Sequence, residues 1–490
     1  MSPRSGRDRG ALAIVLHTHM PYVEGFDTWP FGEEWLWNAL IDCYLPLLEL
    51  LDAGAPLTLS LTPVLCDQLE AAGIGERFTT FIAQTRRAIH ADDVEGLREC
   101  GQVELARELQ RSWESDYERA LERFQARGGD VLAALAPHAA WTSAATHAVL
   151  PLLATDAGVR LQVRTGLAAR RRRFEARLPW RGGFWLPECA HARWLEPILA
   201  AAGVRATCVE LTAHIAAGAP EHLQPLLADS GLALVPIDRA TIALVWSDGG
   251  YPAAGVYRDY HHHTHGHNKP WANDGSAYER ERACAQAREH AADFVARTLA
   301  RLSDAAGAAA DAGRGLAGGG LAVCALDTEL LGHWWYEGLV WLAAVVDECA
   351  RQGLELVRLD DALTRSEPVA AGGRAAAALE RPSTWGLGFD LSTWSGPAVT
   401  EMAFGARACE LAALAAGAGA GAAAARELLA LQASDWPFLV SRELAPSYAR
   451  ERFDGHRRGL RCALSDGPGA DTRALRNIAP FADAALLRAP

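Results

Sequence analysis

The stretch Leu321-Ala322-Val323-Cys324-Ala325-Leu326-Asp327-Thr328-Glu329-Leu330-Leu331-Gly332-His333-Trp334-Trp335 begins as an unbroken apolar run and ends that run on a carboxylate. A short apolar run bounded by glycine and polar residues has the pattern of a strand buried on both faces, as in a parallel sheet covered by helices. Comparable runs recur at residues 12–16, 57–61, 183–186, 232–235 and 354–357, with helical composition between them. Strands alternating with helices over roughly 250 residues or more predict a closed α/β barrel. The pattern places the end of the barrel near residue 365.

Outward from this frame, residues 71–136 have helical patterning and are expected as an insertion in the barrel. The Ala- and Gly-rich stretch 305–320 is expected as a surface excursion. A second low-complexity stretch, 367–378, sits in an expected linker over residues 366–382. Helical composition at 398–431 and 442–464 predicts a C-terminal helical domain over 383–490.

Composition narrows the function classes. At 490 residues, half of them apolar and 22% charged, the chain is long enough for a barrel with an appended smaller unit. No segment has the apolar length a bilayer requires, so no membrane role is expected. Arg4, Arg7 and Arg9 precede the apolar residues 11–16, but that run is too short for a leader and continues into His17, so it reads as a buried strand. The ten cysteines include no CxxC pair, which fits a reducing cytoplasm. A net charge of -13 opposes a nucleic-acid partner and leaves a neutral polymer open. The single lysine, Lys269, excludes mechanisms that need a lysine elsewhere.

His17 and His19 follow the first strand two residues apart, so both can face the same side at its end. They are either polar residues closing a strand or an HxH metal pair. In Gly182-Gly183-Phe184-Trp185-Leu186-Pro187-Glu188-Cys189 a second apolar run delivers a carboxylate to the loop beyond it, beside Trp185. Asp327 is delivered in the same way, with Glu329, His333, Trp334 and Trp335 close behind. Aromatic faces suit the CH surfaces of sugar rings, and glycoside chemistry needs two such carboxyl groups. The tract His261, His262, His263, His265 and His267 reads as a solvated loop with metal binding as the alternative. Trp385 and Trp394 are either sugar platforms or interdomain packing.

Together these segments resemble family 57 glycoside hydrolases, in particular their branching-enzyme subgroup. His17-Thr18-His19-Met20-Pro21-Tyr22 is similar to the family's first region. Residues 184–190 resemble the third, 327–338 the fourth and 385–394 the last. Ser434-Asp435-Trp436-Pro437-Phe438 is similar to a signature of the subgroup's C-terminal helical domain.

The resemblance implies a distorted (β/α)7-type barrel with Glu188 as nucleophile and Asp327 as general acid/base of a retaining mechanism. Their carboxyls would lie about 5 to 5.5 Å apart, with Asp327 protonated and Glu188 ionised. It implies sugar contacts from His17 and His147 and a mobile lid carrying Tyr251. His19, Trp185, His333, Trp334, Trp385 and Trp394 complete the expected substrate-binding set. No cofactor and no metal are expected. The expected partner is an α-1,4-glucan, amylose or glycogen, as both donor and acceptor; no stretch specifies an oligomeric state. Two residues depart from the family's pattern, Ala139 where a glutamate is implied and His191 where an aromatic is implied. The competing readings are a 4-α-glucanotransferase or α-amylase-like hydrolase of the same family, a weakly active glucan-binding protein, and a metal-dependent barrel hydrolase.

Overall fold

A computed structural model describes residues 10–26, 32–311 and 315–488; Arg4, Arg7 and Arg9 lie outside the described residues. Strand β1, Ala11–Thr18, runs through the middle of the main sheet, and Leu12, Ala13, Ile14, Val15 and Leu16 are fully buried. Burying each Val, Leu or Ile side chain contributes roughly 1.5–3 kcal/mol, which is why such a run seeks the interior. Strand β2, Thr58–Leu61, pairs with it in parallel, with Ser60 opposite His17.

The remaining strands are β3 (Thr142–Ser143), β4 (Phe184–Trp185), β5 (Ala206–Val209), β6 (Leu226–Leu227), β7 (Ala233–Pro236), β8 (Leu321–Asp327), β9 (Glu355–Leu356) and β10 (Val369–Ala370). β1 pairs in parallel with β8, β3 with β4, and β5 with β7. Parallel bridges Ser60–Trp141 and Gly183–Ala206 join these pairs, and the N–H of Asp238, just past β7, donates to the Val323 carbonyl of β8 at 2.8 Å. Among the described residues the circuit β1-β2-β3-β4-β5-β7-β8 therefore closes as seven parallel strands, a distorted (β/α)7 barrel. Two of its strands are only two residues long. Gly183 is required there, because a Cβ would sit 2.1 Å from the Trp141 indole nitrogen.

The helix Arg280–Asp311 packs with Gly338–Gln352 against the barrel. Residues 74–135 supply the inserted helices. Beyond the barrel, Thr400–Ala416, Ala422–Leu431, Asp435–Ser441 and Pro446–Asp466 form a helical unit whose core joins Leu428, Leu429, Trp436 and Phe453 to Tyr22, Ala145 and Leu161 of the barrel.

Two stretches differ from the sequence expectation. Residues 305–311 are no surface excursion: they continue the long helix, with Ala305 and Ala309 buried, because alanine favours helix and its small side chain permits close packing. Residues 312–314 of that stretch lie outside the described residues. The expected linker carries β10, paired with β6, and the helix Gly373–Leu379, whose Ala375, Ala378 and Leu379 are buried. Alanine-rich composition there marks tight packing.

Candidate active site

His17, Glu188 and Asp327 lie at the C-terminal ends of β1, β4 and β8, at one end of the barrel, as the chain direction of a parallel barrel demands. The register of β1 and β8 sets His17 directly opposite Asp327. Past β4, Pro187 leads into Glu188, which adopts a left-handed backbone with φ of 60°. A non-glycine residue there carries strain on the order of 1–3 kcal/mol, held only where the surroundings dictate it. Those surroundings are explicit. The Trp385 backbone N–H donates to the Glu188 carbonyl at 3.1 Å and its indole Nε1 donates to Glu188 Oε2 at 3.0 Å. The Ser434 hydroxyl donates to Glu188 Oε1 at 2.8 Å.

Three imidazoles lie beside this carboxylate. His17 Nε2 and His147 Nε2 are 2.8 Å apart, and His147 Nδ1 is 2.8 Å from Ser434 Oγ. His147 also has a left-handed backbone, φ 60°, and its carbonyl accepts from the Ser434 N–H at 3.1 Å. His19 stacks on His147 at 3.9 Å, its Nε2 is 2.9 Å from Asp435 Oδ1, and its Nδ1 is 3.2 Å from Thr62 Oγ1. His17 stacks on Trp185 at 4.8 Å, and Trp185 lies 4.9 Å from Trp385.

The charges divide cleanly. Burial, reinforced by the neighbouring imidazoles, pushes His17 and His147 well below the usual histidine range, so both are neutral. Burial also acts against charge on His19, but Asp435, Glu329 and Glu188 outweigh it and raise its pKa. Asp327 lies well above the carboxylate range, through desolvation by the surrounding protein and repulsion from Glu329 and Glu188. Asp327 is nonetheless exposed to solvent, which weakens the desolvation and leaves the like-charge repulsion as the firmer cause. Glu329, which accepts from Tyr44 Oη at 2.5 Å and from the His19 N–H at 3.2 Å, is itself raised by burial to about 7. Glu188 is also raised by burial, while the hydrogen bonds from Trp385 and Ser434 pull it back down toward the ionised form expected of a nucleophile.

Of the expected residues, the structure brings Glu188, His17, His19, His147, Trp185 and Trp385 into one network, with Asp327 paired to it through His17. Others lie elsewhere. Trp394 is 1% exposed and packs inward with Val149 and Ala190, so it is core and offers no sugar platform. Tyr251 is tied to the helix Arg280–Asp311 by a hydrogen bond to Asp293 at 2.7 Å and by stacking on His290 at 4.6 Å. His333 and Trp334 pack on Tyr260, and His333, Tyr260 and Lys269 line a cavity of about 370 Å³ that Glu188 and Asp327 do not line. Of the histidine tract, His261, His262, His263 and His265 are exposed or half-exposed.

Ala139 is fully enclosed, with its carbonyl accepting from Arg170, so it leaves no gap for a missing sugar contact. His191 pairs through its backbone with Ser383 and through Nε2 with Glu196 at 3.0 Å, anchoring the segment that leads to Trp385. Every ring nitrogen of His17, His19 and His147 faces a protein partner, and among the described residues no three His, Cys, Asp or Glu side chains are grouped to hold a metal.

Sequence reading missed Ser434 and Asp435 as members of the site. The signal was a polar pair interrupting an Ala- and Leu-rich helical run.

The family model "Glycosyl hydrolase family 57" matches residues 140–371, and "1,4-alpha-glucan branching enzyme, C-terminal" matches 406–466. A probable 1,4-alpha-glucan branching enzyme of Mycobacterium tuberculosis is 31% identical over 92% of this chain and 91% of its own length. A 1,4-alpha-glucan branching enzyme of Thermococcus kodakarensis is 29% identical over 92% of this chain and 72% of its own. The crystal structure of a branching enzyme from Pyrococcus horikoshii superposes with a TM-score of 0.84 at 26% identity, covering 98% of this chain and 97% of that one. The α-amylase AmyC of Thermotoga maritima shares the fold, with a TM-score of 0.77 at 22% identity over 98% of this chain and 99% of that one.

Proposed function

The chain belongs to glycosyl hydrolase family 57, and from that premise we propose that it is a 1,4-α-glucan branching enzyme working by a retaining double displacement. Glu188 attacks the anomeric carbon of an α-1,4-linked glucose while Asp327 protonates the departing glycosidic oxygen. The raised pKa of Asp327 suits the acid role. Asp327, now a carboxylate, then takes the proton from the 6-hydroxyl of an acceptor glucan, whose oxygen displaces Glu188 and forms the α-1,6 branch. Donor and acceptor are both α-1,4-glucan chains, amylose or glycogen, and the setting is glycogen synthesis in the cytoplasm. The ten free thiols fit that compartment.

The observation carrying this reading is that the C-terminal helical unit, the part matched by the branching-enzyme model, reaches the barrel to brace Glu188 through Ser434. The three histidines act here through the nucleophile, since their ring nitrogens are committed to protein groups. The motive for a weakly active binding protein also falls away, because Ala139 sits in the core. The test is incubation with amylose, followed by NMR and by debranching with chain-length analysis. New α-1,6 linkages are expected; reducing ends without them would identify a hydrolase, and redistributed α-1,4 chains without them a 4-α-glucanotransferase.

A further inference from the structure

We propose that Ser434 is a positioning residue for the nucleophile, its hydroxyl proton directed onto Glu188 by a hydrogen-bond chain of fixed polarity running from His17 through His147. The inference rests on Glu188 being the nucleophile.

A serine hydroxyl carries one proton. Ser434 donates it to Glu188 Oε1 at 2.8 Å, so at the 2.8 Å contact with His147 the hydroxyl oxygen must accept and His147 Nδ1 must donate. His147 is neutral, so its Nε2 is bare. That atom lies 2.8 Å from His17 Nε2, which must therefore hold the proton. His17 is neutral too, leaving its Nδ1 bare toward Ser60 Oγ at a long 3.5 Å. One orientation at Glu188 thus assigns both tautomers through the hydrogen-bond network. The interlock is doubled in the backbone, where the Ser434 N–H meets the His147 carbonyl and Ala148 bridges Ala433.

The chain holds its polarity because Glu188 is an anion that only accepts. A hydrogen bond to a carboxylate is stronger than one to an ester oxygen. Ser434 therefore favours the ionised nucleophile before attack and stabilises the carboxylate again as it leaves the glycosyl intermediate. Its proton stays on Ser434 throughout. Through this contact the C-terminal unit, remote in sequence from the barrel strands, governs the reactivity of a barrel residue.

The groups facing Glu188 are His147 from the loop after β3, His19 at the end of β1, Asp327 at the end of β8, Asp435 from the helix start and the neighbouring thiol of Cys189. With a fluoride leaving group no proton is needed from Asp327, so the acid limb of the profile reports Glu188.

The experiment measures kcat/KM against pH with a maltooligosyl fluoride for the wild type and for Ser434→Ala, Ser434→Thr and Glu188→Gln. Ser434→Ala is expected to lower kcat/KM about 10- to 100-fold near neutrality and to move the acid limb to higher pH, with Ser434→Thr restoring most of both. A purely structural serine would scale the whole profile and leave the limb in place, and that result overturns the proposal. An active Glu188→Gln enzyme instead overturns the nucleophile assignment beneath it. Nitrogen-15 NMR of the wild-type histidines tests the chain without any variant: the Nδ1–H tautomer is expected for His147 and Nε2–H for His17, and the reverse tautomer at His147 contradicts the chain.

Discussion

Trp385 holds Glu188 at both ends, its backbone N–H on the glutamate's carbonyl at 3.1 Å and its indole N–H on the carboxylate at 3.0 Å. The backbone contact helps to impose the left-handed conformation, and the side-chain contact aims the carboxylate. Trp385→Phe keeps the ring and the first contact while removing the second. A lost hydrogen bond to a charged group costs about 1.5–3 kcal/mol, so kcat/KM is expected to fall about 10- to 100-fold. Steady-state rates on amylose check this, and a rate within twofold of wild type contradicts it.

The two carboxyls have separable roles. Glu188→Gln is expected to block the glycosyl intermediate entirely. Asp327→Asn is expected to lose activity on amylose yet react slowly with a glycosyl fluoride, whose leaving group needs no proton. Trapping the intermediate by mass spectrometry in Asp327→Asn distinguishes the roles; its appearance in Glu188→Gln would reverse them.

Glu329 helps to raise the Asp327 pKa by like-charge repulsion. An acid works only while protonated, so its activity is lost as pH rises through its pKa. Removing the neighbouring charge lowers that pKa, and Glu329→Gln is therefore expected to shift the alkaline limb of kcat/KM to lower pH. An unmoved limb would show that burial alone sets the Asp327 proton.

Ala139→Glu is expected to destabilise the protein and not to improve it. The position is fully enclosed, so the new carboxylate would be buried without an assigned partner, at a cost of about 3 kcal/mol or more. Thermal unfolding measures the loss. A variant with unchanged Tm and faster turnover would place residue 139 at the sugar.

Tyr251 rests on Asp293 and His290 of the long helix, and closure over the carboxylates would require it to leave them. If the loop closes to exclude water from the intermediate, Tyr251→Ala should lower the ratio of α-1,6 linkages to new reducing ends by roughly twofold or more. Tyr251→Phe, which loses only the Asp293 contact, should keep that ratio or raise it. Equal ratios in all three proteins would remove the loop from the transfer step.

The barrel and its two strand-end carboxylates were legible in the sequence because their causes are local. A strand buried on both faces must be apolar throughout, so β1 and β8 announce themselves, and the chain direction of a parallel strand fixes where Glu188 and Asp327 emerge. β3 left no such pattern, because two residues are too few to display one. Nor could the sequence separate Trp385 from Trp394, which lies in the short helix Ser392–Ser395: packing turns one toward Glu188 and seals the other inside. The Ser434 contact with Glu188 lies equally beyond sequence reading, since it joins residues 246 apart along the chain. Apolar periodicity records which side of an element is buried, but the direction of a single hydroxyl proton is decided only when distant segments are packed against each other and every buried donor must find an acceptor.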